Sequence, residues 1–258
     1  MNRTLTRWHR RALLRVLGRA SPAGLERQAW KSLPAVVERA RRNTLAYATL
    51  YNEAGCESAA PQDAASLASL PILEKKDLFE RFSLEELLAD DTQPSDLAGV
   101  LTSSGYGGAN FAFGVSTWRS KSRTPFDIDL GLEHVFGMDL RRTLLVNCLP
   151  MGVVLDSQEV CVANVSVRED MACAILSQAG PRFERCILVI DPLFAKRLLD
   201  YGAQQGVDWA ALKLRVVLGE ETFSEEFRSY LAAALSIPLE IDGAEGVVAE
   251  AFEADGIE

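Results

Sequence analysis

Apolar positions at the start of the chain recur at helical spacing. Trp8, Ala12, Leu13, Val16 and Leu17 follow one another this way with arginines between them. The spacing predicts a basic amphipathic helix ending near Gly18. Two roles are open to it. It can attach to an anionic membrane surface or an acidic partner, or it can pack a short apolar stripe on the rest of the chain and leave its arginines in water. The shortness of the stripe favours packing. "PAGLERQAWKSLPAVVERARRNTLAYATLYNEAG" reads as a second helix, with Pro22 suited to a first turn and Gly55 to a stop. In "LASLPILEKKDLFERFSLEELLAD" a loop runs through Pro71 and a helix begins at about Lys75.

Further on, the pattern changes to short continuous apolar runs. "FAFGVS" alternates as a short strand after a Gly/Ser-rich stretch at residues 102–108. "RTLLVNCLP" reads as a buried strand stopped by Pro150. "RCILVIDP" is another, followed by the helix "LFAKRLLDYGAQQG". "LKLRVVLGEE" is a third, followed by the helix "SEEFRSYLAAALS", and "IPLEIDG" is a fourth, short strand. Strands alternating with helices predict an α/β fold, a mostly parallel sheet covered by helices. No internal repeat or low-complexity segment interrupts it.

Charge sharpens this picture. The formal net charge is −9 and the pI about 4.9, which argues against nucleic acid as a partner. The imbalance is local: ten arginines crowd residues 1–42 beside only Glu26 and Glu38, and the chain after Asn43 is acidic. The predicted organisation is an arginine-rich helical arm over residues 1–55 and an α/β domain over residues 56–258. The five cysteines form no C-x-x-C pair, and with two histidines give no zinc spacing. They read as reduced thiols of a cytoplasmic protein. No apolar run approaches the roughly 20 residues that cross a bilayer. The N-terminus lacks the long apolar core of a signal peptide.

Three polar, glycine-bearing loops lie beside predicted strands: "TSSGYGG", "GEETFS" and "IDGAEG". In parallel α/β sheets, ligand loops lie at the carboxyl ends of strands. Each loop also has a plain structural reading: a Gly/Ser turn, a helix N-terminus favoured by acids, and an Asp-Gly turn. Hydroxyls and glycines together make an uncrowded bed for phosphate oxygens, and this one is not the G-K-[ST] pattern that opens a helix.

In order and context the loops resemble the adenylate-forming (AMP-binding) superfamily, and within it the phenylacetate-coenzyme A ligase branch. Thr102, Ser103, Ser104, Gly105, Gly108 and Gly114 match its T-S-S-G-T-T-G-K-P loop and following strand. "LPILEKKDL" is similar to its L-P-x-x-x-K-x-D-L segment, and "LKLRVVLGEETFSEEFRSYLAAALSIPLEIDG" to its strand, G-G-E-x-x-S loop, helix and strand. The resemblance runs from about Leu70 onward and implies the N-terminal portion of such an enzyme. It implies ATP, Mg²⁺ and a small-molecule carboxylic acid as ligands, with coenzyme A or an acyl-acceptor protein as the thiol. Thr102, Ser103 and Ser104 would supply hydroxyls to the phosphates, with Gly105, Gly107 and Gly108 letting the backbone approach. Gly219, Glu220 and Glu221 would face the adenine, Asp242 and Gly243 would help hold the nucleotide, and Glu245 would bind the metal.

The departures are specific. Tyr106 and Gly107 replace two residues of the loop, Ala109 replaces its lysine and Asn110 its proline. Losing a cation beside a triphosphate removes a charge-assisted contact worth about 1.5–3 kcal/mol. Arg119, Lys121 and Arg123 are the nearest substitutes. Glu220 replaces the second glycine of G-G-E, and "IDGAEG" lacks the family's tyrosine and threonine. The family's ribose-binding aspartate, hinge and C-terminal lid domain would follow Glu258. The chain therefore reads either as part of a longer ligase or as a shortened, non-adenylating binding or scaffold relative. In that second case the arm would meet a partner or membrane. A third reading is an acyl-protein synthetase-like transferase with Cys148 as nucleophile. His134 reads as a satisfied core or surface residue or as one lining the acyl pocket. Pro150, Met151 and Gly152 could shape that pocket.

Overall fold

The computed structural model describes residues 3–56, 61–102, 112–136, 142–150, 152–219, 221–235 and 248–250. The chain forms two compact units, Met1–Arg119 and Ser120–Glu258.

The first unit opens with helices α1 (Arg3–Leu17), α2 (Pro22–Asn43) and α3 (Leu45–Glu53). Three short helices follow: α4 (Ala64–Leu67), α5 (Lys75–Phe79) and α6 (Leu84–Leu87). A hairpin of β1 (Leu97–Thr102) and β2 (Phe113–Thr117) leads into α7 (Trp118–Lys121). α1 forms where the periodicity predicts it, but only Ala12 and Leu13 of its apolar stripe are half-buried. Thr6 and Arg10 are buried while Trp8, Val16 and Leu17 are exposed.

The single helix expected over residues 22–55 is two helices. Ser21 caps α2, its Oγ accepting from the Gly24 N–H at 3.1 Å, and Pro22 follows in the first turn. At Thr44 the backbone is extended (φ −132°, ψ 115°), and the Asn43 carbonyl accepts from the Asp90 N–H at 2.7 Å. That carbonyl has left the helical ladder, and a β-branched residue follows it. In α5 the K-x-D-L spacing has a local cause. Asp77 accepts from the Glu74 N–H at 2.8 Å, so the helix start is capped from within.

The second unit comprises α8 (Thr124–Phe136), β3 (Thr143–Asn147), β4 (Cys161–Asn164), α9 (Glu169–Gln178), β5 (Arg185–Ile190), α10 (Pro192–Gln205), β6 (Leu214–Leu218), α11 (Glu225–Ala234) and β7 (Val248–Glu250). The sheet order is β4-β3-β5-β6-β7, and every pairing is parallel. The α/β fold with a parallel sheet covered by helices is therefore as the sequence predicts.

Alternation along the strands explains the layers. Leu144 and Val146, Cys186, Leu188 and Ile190, and Leu214, Val216 and Leu218 pack on one face with α9, α10 and α11. Leu145, Ile187 and Val189 pack on the other face with Leu132 and Phe136 of α8. Burial on both faces is why β3 and β5 read as nearly continuous apolar runs, while β6 alternates buried positions with half-buried Arg215 and Val217. α10 is capped by Asp191 and ends at Gly206, whose φ of 68° suits glycine. The Trp209 ring lies against Gly202, where an added Cβ would stand 2.2 Å from Trp209 Cζ2. β4 and β7 lie where no strand is predicted, and the predicted strand "IPLEIDG" lies outside the described residues.

Candidate functional site

All five parallel strands end on one edge of the second unit. Chain order reverses there between β3 and β5: β4 adds on one side of β3 and β5, β6 and β7 on the other. Such a switch point leaves a crevice where ligands of parallel α/β sheets bind.

Two asparagines shape this edge. Asn147, fully buried at the end of β3, donates from Nδ2 to the Val153 carbonyl and to Asn164 Oδ1, both at 2.8 Å. Its Oδ1 accepts from the Leu149 N–H at 3.1 Å. Asn164, at the end of β4, accepts from the Leu155 N–H and donates to the Leu155 carbonyl, each at 3.0 Å. Together they tie down the turn after β3, which carries the predicted pocket residues Pro150 and Gly152; Met151 lies outside the described residues. The sequence signal for this clamp is a polar residue, Asn147, closing an apolar strand.

Buried Asp129 of α8 anchors the same segment from its far end. It accepts from Ser157 Oγ and, at 3.2 Å, from the Gln158 N–H. On the neighbouring strands the ladder runs one residue further. The Cys148 N–H donates to the Val189 carbonyl at 2.8 Å, and the Gly219 N–H to the Ile190 carbonyl at 3.2 Å. Asp191 then caps α10, accepting from the Phe194 N–H at 2.8 Å.

Of the predicted nucleotide loop, Gly219 is buried at the end of β6 and Glu221 is exposed just beyond it; Glu220 lies outside the described residues. The plain alternative, that these acids open a helix, does not hold. α11 starts later, capped by Ser224 with Glu225 and Glu226 in its first turn. Gly219 and Glu221 therefore stand on the loop before the helix, on the carboxyl edge. Asp242, Gly243 and Glu245 lie outside the described residues, immediately before β7. Among the described residues no three His, Cys, Asp or Glu side chains converge as a metal site.

The predicted phosphate loop belongs to the first unit. Thr102 is the exposed last residue of β1, which pairs antiparallel with β2, so the loop connects a hairpin. β1 itself is not predicted from the sequence. Ser103, Ser104, Gly105, Gly107 and Gly108 lie outside the described residues. Thr102 pairs with Phe113 and Leu97 with Thr117, so Arg119 follows the opposite end of the hairpin, about 15 Å of strand from Thr102. Lys121 and Arg123 are exposed in α7 and the turn after it.

His134 is exposed on α8. All five cysteines are free thiols. Cys148 is fully buried and its pKa is pushed up to about 12, mainly by burial, with Cys173 and Asp191 adding to it. A thiol held protonated and out of solvent is a poor nucleophile.

No protein-family model matches the chain, and no curated protein matches it by sequence. Its fold matches solved structures of an adenylate-forming ligase. That protein is 2-hydroxyisobutyryl-CoA ligase. The open conformation in complex with 2-HIB-AMP and CoA superposes with a TM-score of 0.66 at 16% identity, covering 84% of this chain and 49% of that chain. The thioesterification state with the same ligands gives 0.66 at 15%, covering 84% and 48%. The postadenylation state with 2-HIB-AMP gives 0.64 at 14%, also covering 84% and 48%. The likeness is one of fold, and this chain spans about half the length of the ligase chains. Among the described residues no helix is long and apolar enough to cross a membrane.

Proposed function

We propose that the chain provides the nucleotide- and acid-binding portion of an ATP-dependent acid–thiol ligase, similar to the phenylacetate-coenzyme A ligase branch. The observation that carries this reading is the coincidence of the ligase-like fold with Gly219 and Glu221 on the carboxyl edge, after β6 and one strand from the β3–β5 switch point. In this reading a substrate carboxylate oxygen attacks the α-phosphorus of ATP, the bond to the bridging β-phosphate oxygen breaks, and pyrophosphate leaves. The thiol sulfur of coenzyme A or of a protein then attacks the acyl carbon of the resulting acyl-adenylate, the bond from that carbon to the phosphate oxygen breaks, the thiol proton is lost and AMP leaves.

The residues have distinct roles. The hydroxyls of Thr102, Ser103 and Ser104 and the backbone N–H groups of Gly105, Gly107 and Gly108 hold the departing phosphates. Buried Gly219 lets the adenine approach the end of β6, with Glu220, Glu221, Asp242 and Gly243 around the nucleotide. Glu245 is the carboxylate for Mg²⁺, a hard ion suited to carboxylate and phosphate oxygens, and the ion would supply positive charge beside the triphosphate. The Asn147–Asn164 clamp fixes the wall formed by Leu149, Pro150 and Gly152, against which the acid would lie.

Pyrophosphate release with ATP, Mg²⁺ and a panel of aryl and aliphatic acids tests the reading. Turnover that falls on Ser104→Ala and Glu245→Ala supports it. Absence of both turnover and ATP binding overturns it. ATP binding without turnover selects the non-adenylating relative, which Ala109 and Glu220 favour. Ala109→Lys tests that erosion directly: restoring the cation tightens ATP binding about 10- to 100-fold, read by calorimetry. The cysteine-transferase reading loses support from the burial of Cys148, which stays unlabelled by a thiol reagent in the native chain while exposed Cys161 reacts.

A further inference from the structure

α1 buries Thr6 and Arg10 and half-buries Leu13 and Leu14, while Leu5, Trp8 and Val16 face outward. Arg10 is 1% and Thr6 3% exposed, whereas Leu5 is 61%, Trp8 65% and Val16 64% exposed. Leu5, Trp8, Ala12 and Val16 are spaced three, four and four residues apart, which at 3.6 residues per turn sets them within about 80° of one another. Leu5, Trp8 and Val16 are exposed along one outward stripe, and Ala12 between them is half-buried. Arg15 lies beside Trp8 on the same projection, and Arg19 follows the helix; both are exposed.

Charge is segregated to match. Residues 1–42 hold eleven basic and two acidic residues, a balance of +9; since the whole chain carries −9, residues 43–258 carry −18. An aromatic and aliphatic stripe with arginines alongside, on a helix of 15 residues, suits the plane between lipid headgroups and acyl chains. A helix about 22 Å long lies along that plane and does not cross it.

We propose that α1 docks the protein on an anionic lipid surface. Leu5, Trp8 and Val16 enter the headgroup–acyl boundary, and Arg15 and Arg19 meet anionic headgroups. The basic segment is drawn to such a surface, and the acidic remainder of the chain adds no attraction to it. The inference is independent of nucleotide chemistry: a chain that releases no pyrophosphate but docks leaves it standing.

Flotation of the chain with mixed phosphatidylserine–phosphatidylcholine vesicles, against pure phosphatidylcholine vesicles, provides the test. Flotation is expected with the anionic vesicles alone and is lost at high salt. Arg15→Gln and Arg19→Gln each weaken the partition about 5-fold. Trp8→Ala abolishes it at an unchanged unfolding midpoint. Flotation with neither vesicle, equal flotation with both, or full flotation of Trp8→Ala overturns the proposal. Self-association in solution that Trp8→Ala abolishes also overturns it, since a second copy of the chain would then occupy the stripe.

Discussion

α2 and α10 differ in what holds them. α2 runs for 22 residues with none buried. α10 has 14 residues, of which Pro192, Phe194, Ala195, Leu198, Leu199 and Gly202 are buried. α10 is fixed by the sheet beneath it. α2 relies on a capping serine, an N-terminal proline and ion pairs such as Arg41 and Arg42 with Glu38. Propensity and caps contribute tenths of a kcal/mol to about one each, whereas a buried apolar side chain contributes two or more. Helices of similar sequence texture therefore carry very different shares of stability.

Substitutions in the two regions should separate accordingly. Ile190→Ala in β5 should cost about 2–5 kcal/mol in urea unfolding, while Leu25→Ala on the exposed side of α2 should stay within about 0.5 kcal/mol. Equal costs would erase the contrast. Gly202→Ala comes next, at about 1–3 kcal/mol, because its methyl group meets the Trp209 ring. Asp191→Ala removes the α10 cap for about 1 kcal/mol, and Ser21→Ala does the same to α2. Breaking the exposed Arg81–Glu53 pair, 2.7 Å apart, should shift the urea midpoint less than any of these, and less still in salt.

The smallest effect is a titration. Hydrogen bonds from Arg168 are the main reason that the Asp170 carboxyl lies at about 2. Because the folded value is depressed, whatever stability the pair adds is complete above the usual carboxylate range and lost as pH falls toward about 2. Carbon-detected NMR should find the Asp170 midpoint there and see it rise in Arg168→Ala.

Legibility in the sequence followed the same division. β3 and β5 announce themselves because strands buried on both faces are apolar almost throughout, and β6 because only half-buried Arg215 interrupts its apolar run. β4 has exposed or half-buried residues and β1 ends exposed, so neither leaves such a run. The break at Thr44 depends on Asp90, 46 positions away, and local spacing does not encode it. The outward turn of Trp8 was hidden for a related reason: periodicity gives a helix its two sides but not which one the rest of the chain covers. At the candidate site, Gly219 and Glu221 could be placed on the sheet edge from the strand–loop–helix order alone. Of the asparagine clamp the sequence marks only Asn147, a polar residue closing an apolar strand; its partner Asn164 lies 17 positions on, in a strand that no apolar run announces.

The ring seated on Gly202 also supplies an optical signal. Of the four tryptophans, Trp8 and Trp118 face solvent, Trp30 is half-covered and Trp209 is buried. The blue edge of the intrinsic emission therefore belongs to Trp209, and its red shift during denaturation times the opening of the sheet unit without any added dye.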